Sequence, residues 1–159
     1  MTLETVTNTE TGGSPTGSAA HNPGSRMVAT TESMRAIVKV SPFTLWTGCD
    51  VLTCENGVCE VRMPFREDLT QHHGFVHGGI IGFLSDNVSA AAAASVVGDM
   101  VTADYSVKLL APGIGEEFFA RGEVVKANKR LVAVESRVYA VRKGERKLIA
   151  VGTATILPV

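Results

Sequence analysis

Asp86 is the one charged side chain in about twenty residues of apolar or small character between His77 and Gly98. Around it stand Ile80, Ile81, Phe83, Leu84, Val88, five consecutive alanines (Ala90 to Ala94), Val96 and Val97. A helix apolar on every face belongs in a core, and a carboxylate there is costly unless a partner or a task holds it. The segment opens with His77-Gly78-Gly79, where the free N–H groups of a helix start can hold an anionic oxygen. An amide cradle and one embedded acid are the parts that acyl chemistry needs. Gly78 and Asp86 are eight residues apart, about 12 Å along one helix, whereas reacting atoms must approach to about 3–3.5 Å. One chain cannot bring both groups to the same carbon. The spacing predicts a site shared by two copies, Gly78 from one and Asp86 from its twofold mate.

Other reactive side chains are less informative. His72, His73 and His77 are broken up by Gly74, Gly78 and Gly79 and have no acid at ligand spacing, so no metal site is expected. Cys49, Cys54 and Cys59 fit no zinc spacing and read as small buried hydrophobes in a reducing cytoplasm. Phe43, Trp46, Phe83 and Leu84 are candidate pocket walls. Between Arg121 and Lys147 there are nine Lys/Arg against three Glu, in a chain of net charge −1. That excess can serve phosphate groups or simply protect a solvated strand edge.

Positioning these residues requires a scaffold. Thr30 or Thr31 can cap a short helix through Ser33, Met34, Ile37 and Val38, stopped before Pro42. Strands are expected over residues 45–54 and 58–63, joined at Asn56-Gly57, a type I′ hairpin signal. A loop over 64–76 then delivers the chain to the apolar helix, which Gly98 ends. Beyond it the period becomes two: Val101, Ala103, Tyr105, Val107 and Leu109 alternate with polar residues in a half-buried strand. Pro112-Gly113 turns the chain into three further strands, over 117–126, 131–141 and 147–157, with short polar turns that imply an antiparallel meander. The expected architecture is α+β, a curled antiparallel sheet of about six strands wrapped around one long helix.

Residues 1–30 are rich in Thr, Ser, Gly, Ala and Asn and read as a disordered leader before a domain over 31–159. They show neither a secretory pattern nor the Arg-rich character of a transit peptide. Asp86, Asn87, two serines and three glycines argue against a membrane span for the apolar segment. Near-neutral charge gives no pull toward nucleic acid.

The block Gln71-His72-His73-Gly74-Phe75-Val76-His77-Gly78-Gly79, followed by Leu84-Ser85-Asp86-Asn87, resembles the hotdog-fold acyl-CoA thioesterases of the phenylacetate-degradation type. The likeness continues through Val101-Thr102-Ala103-Asp104, Leu110-Ala111-Pro112, the 126–131 turn and Ala150-Val151-Gly152-Thr153-Ala154. It covers the chain from about residue 31 to its end. The resemblance implies hydrolysis of an acyl-CoA, with Asp86 as general base or as nucleophile through an anhydride. It implies Gly78 N–H as the carbonyl's polarising donor, Gln71 as an amide toward the carbonyl or the water, and Thr102 as a hydroxyl orienting that water. Leu109, Leu110 and Pro112, with Lys126, Asn128, Lys129 and Arg130, would flank the nucleotide end. Relatives usually have Gly where Asn128 stands, and Asn tolerates positive φ. No cofactor is implied beyond coenzyme A as part of the substrate. The assembly implied is a homodimer, paired into a dimer of dimers. Two other readings stay open: an enoyl-thioester hydratase and a non-catalytic acyl-CoA sensing module.

Overall fold

The structure, a computed structural model, describes residues 27–159. The leader expected over residues 1–30 thus lies, up to residue 26, outside the described residues. Ala29 is already tied in: its N–H donates to the Ala94 carbonyl at 2.9 Å. Thr30 caps the first helix, α1 (Thr31–Val40), in a reciprocal box with Ser33. Arg35 pins this helix to the next strand by donating to the carbonyls of Val51 and Leu52, at 2.7 and 3.1 Å.

The strand expected from residue 45 is instead a short helix, α2 (Pro42–Thr47), and strand β1 (Asp50–Glu55) begins only after it. Pro42 occupies the first helical turn, where its fixed φ suits a helix, and Gly48 ends the helix at φ 72°. The buried residues are Thr44 and Thr47, a helical spacing that an eye on apolar residues alone misses. Asn56 and Gly57 have φ of 52° and 81°, the turn predicted, and join β1 to β2 (Val58–Pro64).

A single 3₁₀ turn at Glu67–Leu69 leads toward the central helix α3 (Gly78–Val97). Strands β3 (Met100–Leu109), β4 (Glu117–Ala127), β5 (Val132–Arg142) and β6 (Glu145–Pro158) follow. The six form one antiparallel sheet in the order β1-β2-β4-β5-β6-β3. Every strand touches α3. This is the hotdog arrangement expected, a curled sheet around one long helix. Close approach is bought with two glycines: a Cβ at Gly122 would lie 2.6 Å from the Val88 carbonyl oxygen, and one at Gly152 would lie 2.4 Å from Ser85 Oγ. Leu84, Val88, Ala92 and Ala93 meet Phe118, Val134, Ile149 and Ile156 in the core. The one described helix long and apolar enough to cross a bilayer is this mostly buried one.

Two expectations about the elements are corrected. Helix α3 is not enclosed on every face. Gly79 is exposed and Phe83, Asp86, Asn87 and Ala90 are only half-buried, one stripe at helical spacing. Strand β3 does not keep one alternation along its length. Thr102 pairs with Ile156 and Asp104 with Thr155, so Ala103 is an extra residue in a bulge. The bulge changes the parity, and Thr102 shares the helix-facing side with Tyr105, Val107 and Leu109, opposite Ile156, Ala154, Gly152 and Ala150. Val101 falls on the outer side and is exposed.

Candidate active site

His77 is the N-cap of α3, and its Nδ1 accepts from Gly79 N–H at 2.9 Å. Its own N–H donates to the Leu69 carbonyl at 2.9 Å, and its carbonyl accepts from Ile80. With Gly79 satisfied, Gly78 occupies the first helical position and its N–H has no partner among the described residues. The positive end of the helix dipole therefore presents one unoccupied donor. Leu109 leans over this point, 3.1 Å from where a Gly78 Cβ would be.

Two turns further along, Asp86 stands on the open stripe. Thr102 Oγ1 donates to Asp86 Oδ1 at 2.9 Å, which fixes one carboxylate oxygen and leaves the other free to accept. The bulge at Ala103 makes this contact possible; strict alternation would turn Thr102 outward. Gln71 sits in the loop before α3, with its side-chain Oε1 accepting from His73 N–H. Its backbone also closes the loop, N–H to Phe75 O and O from Gly74 N–H, both at 2.8 Å. The Gln71 amide therefore keeps its NH₂ donors for other use. The rings of His72 and His73 lie against each other at 3.9 Å, and no group of three metal-capable side chains occurs among the described residues.

The residues assigned to the nucleotide end fall into two separated groups. Leu109, Leu110 and Pro112 lie at the Gly78 end, where Leu109 pairs with Ala150. Lys126, Asn128, Lys129 and Arg130 lie at the Asp86 end, since the row Ala127–Val132–Ile156 continues into Thr102. Seven residues of strand, about 20 Å, separate the two. The turn itself forms as expected but not by positive φ: Asn128 Oδ1 accepts from the N–H groups of Arg130 and Leu131, at 2.8 and 3.0 Å.

Of the candidate pocket walls, Leu84 is fully buried beneath the site and belongs to the core. Phe43, Trp46 and Phe83 come together, with Phe43 edge-on to Phe83 at 5.0 Å and 5.6 Å from Trp46. Helix α2, which positions two of these rings, is not among the elements expected from the sequence; Ser41-Pro42 at its start and Gly48 after it are the signals that mark it. The three cysteines are buried and free. Burial pushes the Cys49 thiol up to about 12, against a smaller opposing effect of the Asn87 amide.

Comparison with known proteins follows the same lines. The thioesterase superfamily pattern matches residues 73–146. A thioesterase family protein from Silicibacter pomeroyi is 34% identical, with a TM-score of 0.76 over 79% of this chain and 95% of that one. A mutant of the phenylacetic acid degradation protein PaaI from Thermus thermophilus is 29% identical, with a TM-score of 0.67 over 75% of this chain and 100% of that one. PaaI of E. coli, at 18% identity, shares the fold with a TM-score of 0.72 over 80% and 91% of the two chains. Two curated proteins of Saccharolobus solfataricus, each named only as an inferred esterase, are 31% and 30% identical over 54% and 58% of this chain. The alignments span 62% and 63% of those relatives' lengths. Identity of 34% sustained across 95% of a solved thioesterase-family chain, together with the matched superfamily segment, makes this chain a member of the thioesterase superfamily.

Proposed function

We propose that this protein hydrolyses acyl-CoA thioesters to a carboxylic acid and coenzyme A, at sites shared between two copies of the chain. The observation that carries the reading is Asp86, held by Thr102 at 2.9 Å on an open helix stripe, with an unpartnered helix-start amide on the same rod. Gly78 and Asp86 are about 12 Å apart, too far to act on one carbonyl. A twofold axis that sets one chain's Gly78 against the partner's Asp86 removes the gap. The same operation brings Leu109, Leu110 and Pro112 of one chain toward Lys126, Asn128, Lys129 and Arg130 of the other, reuniting the two nucleotide-end groups. Both separations have one remedy.

In this site the Gly78 N–H polarises the thioester carbonyl where negative charge develops. Asp86 takes a proton from water as the water oxygen attacks the carbonyl carbon. The C–S bond breaks, and the thiolate of coenzyme A receives that proton. In the alternative course the carboxylate itself attacks, and water then opens the mixed anhydride. Neither course needs a cofactor. Thr102 orients the carboxylate, and the Gln71 NH₂ group is available to the carbonyl or the water. The buried thiols suit a reducing compartment, and we place the enzyme in the cytoplasm, as a dimer or a dimer of dimers.

Complementation tests the reading. Gly78→Pro removes the donor at a position where proline suits a helix, and Asp86→Asn removes the base. Each variant alone should release almost no thiol from acyl-CoA. Randomly re-associated chains should regain about a quarter of wild-type activity, because half the dimers are mixed and each holds one intact site. Absence of recovery would refute the shared site. An Asp86→Asn protein that still turns over would remove the acid from the chemistry, and tight binding without turnover by the wild type would favour the sensing module.

A further inference from the structure

We infer that the three aromatic rings beside Asp86 form an open shelf for the acyl group, and that it selects medium and long aliphatic chains over short ones. The inference rests on the hydrolytic reading above. Phe83 and Asp86 are three residues apart on the open stripe of α3, so a group attached to the reacting carbonyl meets Phe83 next. From Phe83 the shelf runs outward in two ring-to-ring steps, 5.0 Å to Phe43 and 5.6 Å to Trp46. Phe43 and Trp46 are 53% and 43% exposed, an unusual outlay of aromatic surface in a chain with only nine aromatic residues.

The chemistry of the surroundings decides what the shelf takes. The thioester has two substituents: a charged nucleotide carrier, matched by the basic 126–131 turn, and an acyl group, matched by apolar rings. Phe43 and Trp46 keep about half of their surface open among the described residues, so a long chain can run out over the rings instead of ending against a closed wall. Arg66 lies over Trp46, 5.7 Å from the ring, but its guanidinium is already engaged by Asp68 and by the Trp46 carbonyl. The one cation placed over the far ring is thus already engaged and not held ready for a carboxylated chain terminus, which points to an unsubstituted hydrocarbon tail.

Trp46 is the sole tryptophan, so the shelf carries its own reporter. Non-hydrolysable thioether analogues of decanoyl-CoA and acetyl-CoA, and coenzyme A itself, are titrated against the wild type while emission is recorded. Only the decanoyl analogue should shift the emission to the blue. In turnover, kcat/KM should rise from acetyl- through hexanoyl- to decanoyl-CoA by about twofold per methylene, half the free energy of full burial. Phe43→Ala and Trp46→Ala should each cost about tenfold on decanoyl-CoA, ~1.4 kcal/mol, and leave acetyl-CoA turnover within about twofold. Trp46→Phe, which keeps a ring, should restore most of the loss. A flat chain-length profile, equal losses on both substrates, or an emission response common to all three ligands would overturn the shelf. Failure of the hydrolytic reading has a different signature: no acyl-CoA is turned over, whatever the emission shows.

Discussion

Replacing Thr102 by valine probes the contact on which the site depends. Valine keeps the branched shape and strand preference of threonine and removes only the hydroxyl that donates to Asp86 Oδ1 at 2.9 Å. A hydrogen bond to a charged group contributes about 1.5–3 kcal/mol. Asp86 is half-buried, so water can replace part of it and the lower half of that range applies. At ~1.4 kcal/mol per decade, kcat should fall about ten- to fortyfold. Stability should fall by no more than about 1.5–2 kcal/mol, the worth of the same hydrogen bond, since the threonine is on an outer strand and leaves no core cavity. Thiol release from a saturating acyl-CoA measures the rate, and Thr102→Ser, which keeps the donor, should recover most of it. In an Asp86→Asn background the same valine should have little further effect, because the hydroxyl acts through the carboxylate. A Thr102→Val enzyme within about twofold of wild type would refute the reasoning. So would an undiminished second loss in the Asp86→Asn background.

Three further outcomes follow from contacts elsewhere. His77→Ala removes the acceptor for Gly79 N–H and should destabilise the fold by about 1 kcal/mol, seen in chemical denaturation. It should also slow turnover, since the freed Gly79 amide competes with Gly78 for the same oxygen. Gly122→Ala drives a methyl against the Val88 carbonyl, 2.6 Å away, and should cost about 1–3 kcal/mol or more. An unchanged melting temperature would disprove the tight sheet-to-helix approach there. Burial holds the Cys49 thiol up to about 12, above the ordinary thiol value of 9.0. Its neutral form is favoured in the folded protein, so its contribution is complete below pH 9 and is lost as pH rises from there toward about 12. Cys49→Ala should flatten that alkaline decline, and native protein at neutral pH should resist thiol reagents.

Much of this molecule can be read from one chain because its strongest signals are local. Asn56-Gly57 forms its hairpin through a backbone conformation few residues tolerate. The apolar run after His77 is too long and too uniform to be a strand, and the short polar turns after Pro112 permit little except a meander. What escapes such reading depends on context. Helix α2 hides because its buried residues are threonines and its aromatic residues face outward. The bulge at Ala103 hides because an irregular strand and a regular one have the same composition. The opposite placement of Leu109 and Lys126 follows from strand register, which no motif encodes. The acid and the amide were visible as a pair because both lie on one rigid rod, where counting residues measures distance.

The hydroxyl beside Asp86 owes its orientation to a surplus alanine. If the three residues ahead of Ala103 slid by one position to recover a perfect pleat, a methyl group would replace that donor while the helix stayed still. Counting every second residue back from Tyr105 would likewise match the wrong neighbour to the acid. A designer wishing to copy the acid–alcohol pair into another scaffold would therefore have to transplant the irregular four-residue stretch intact, not merely two side chains.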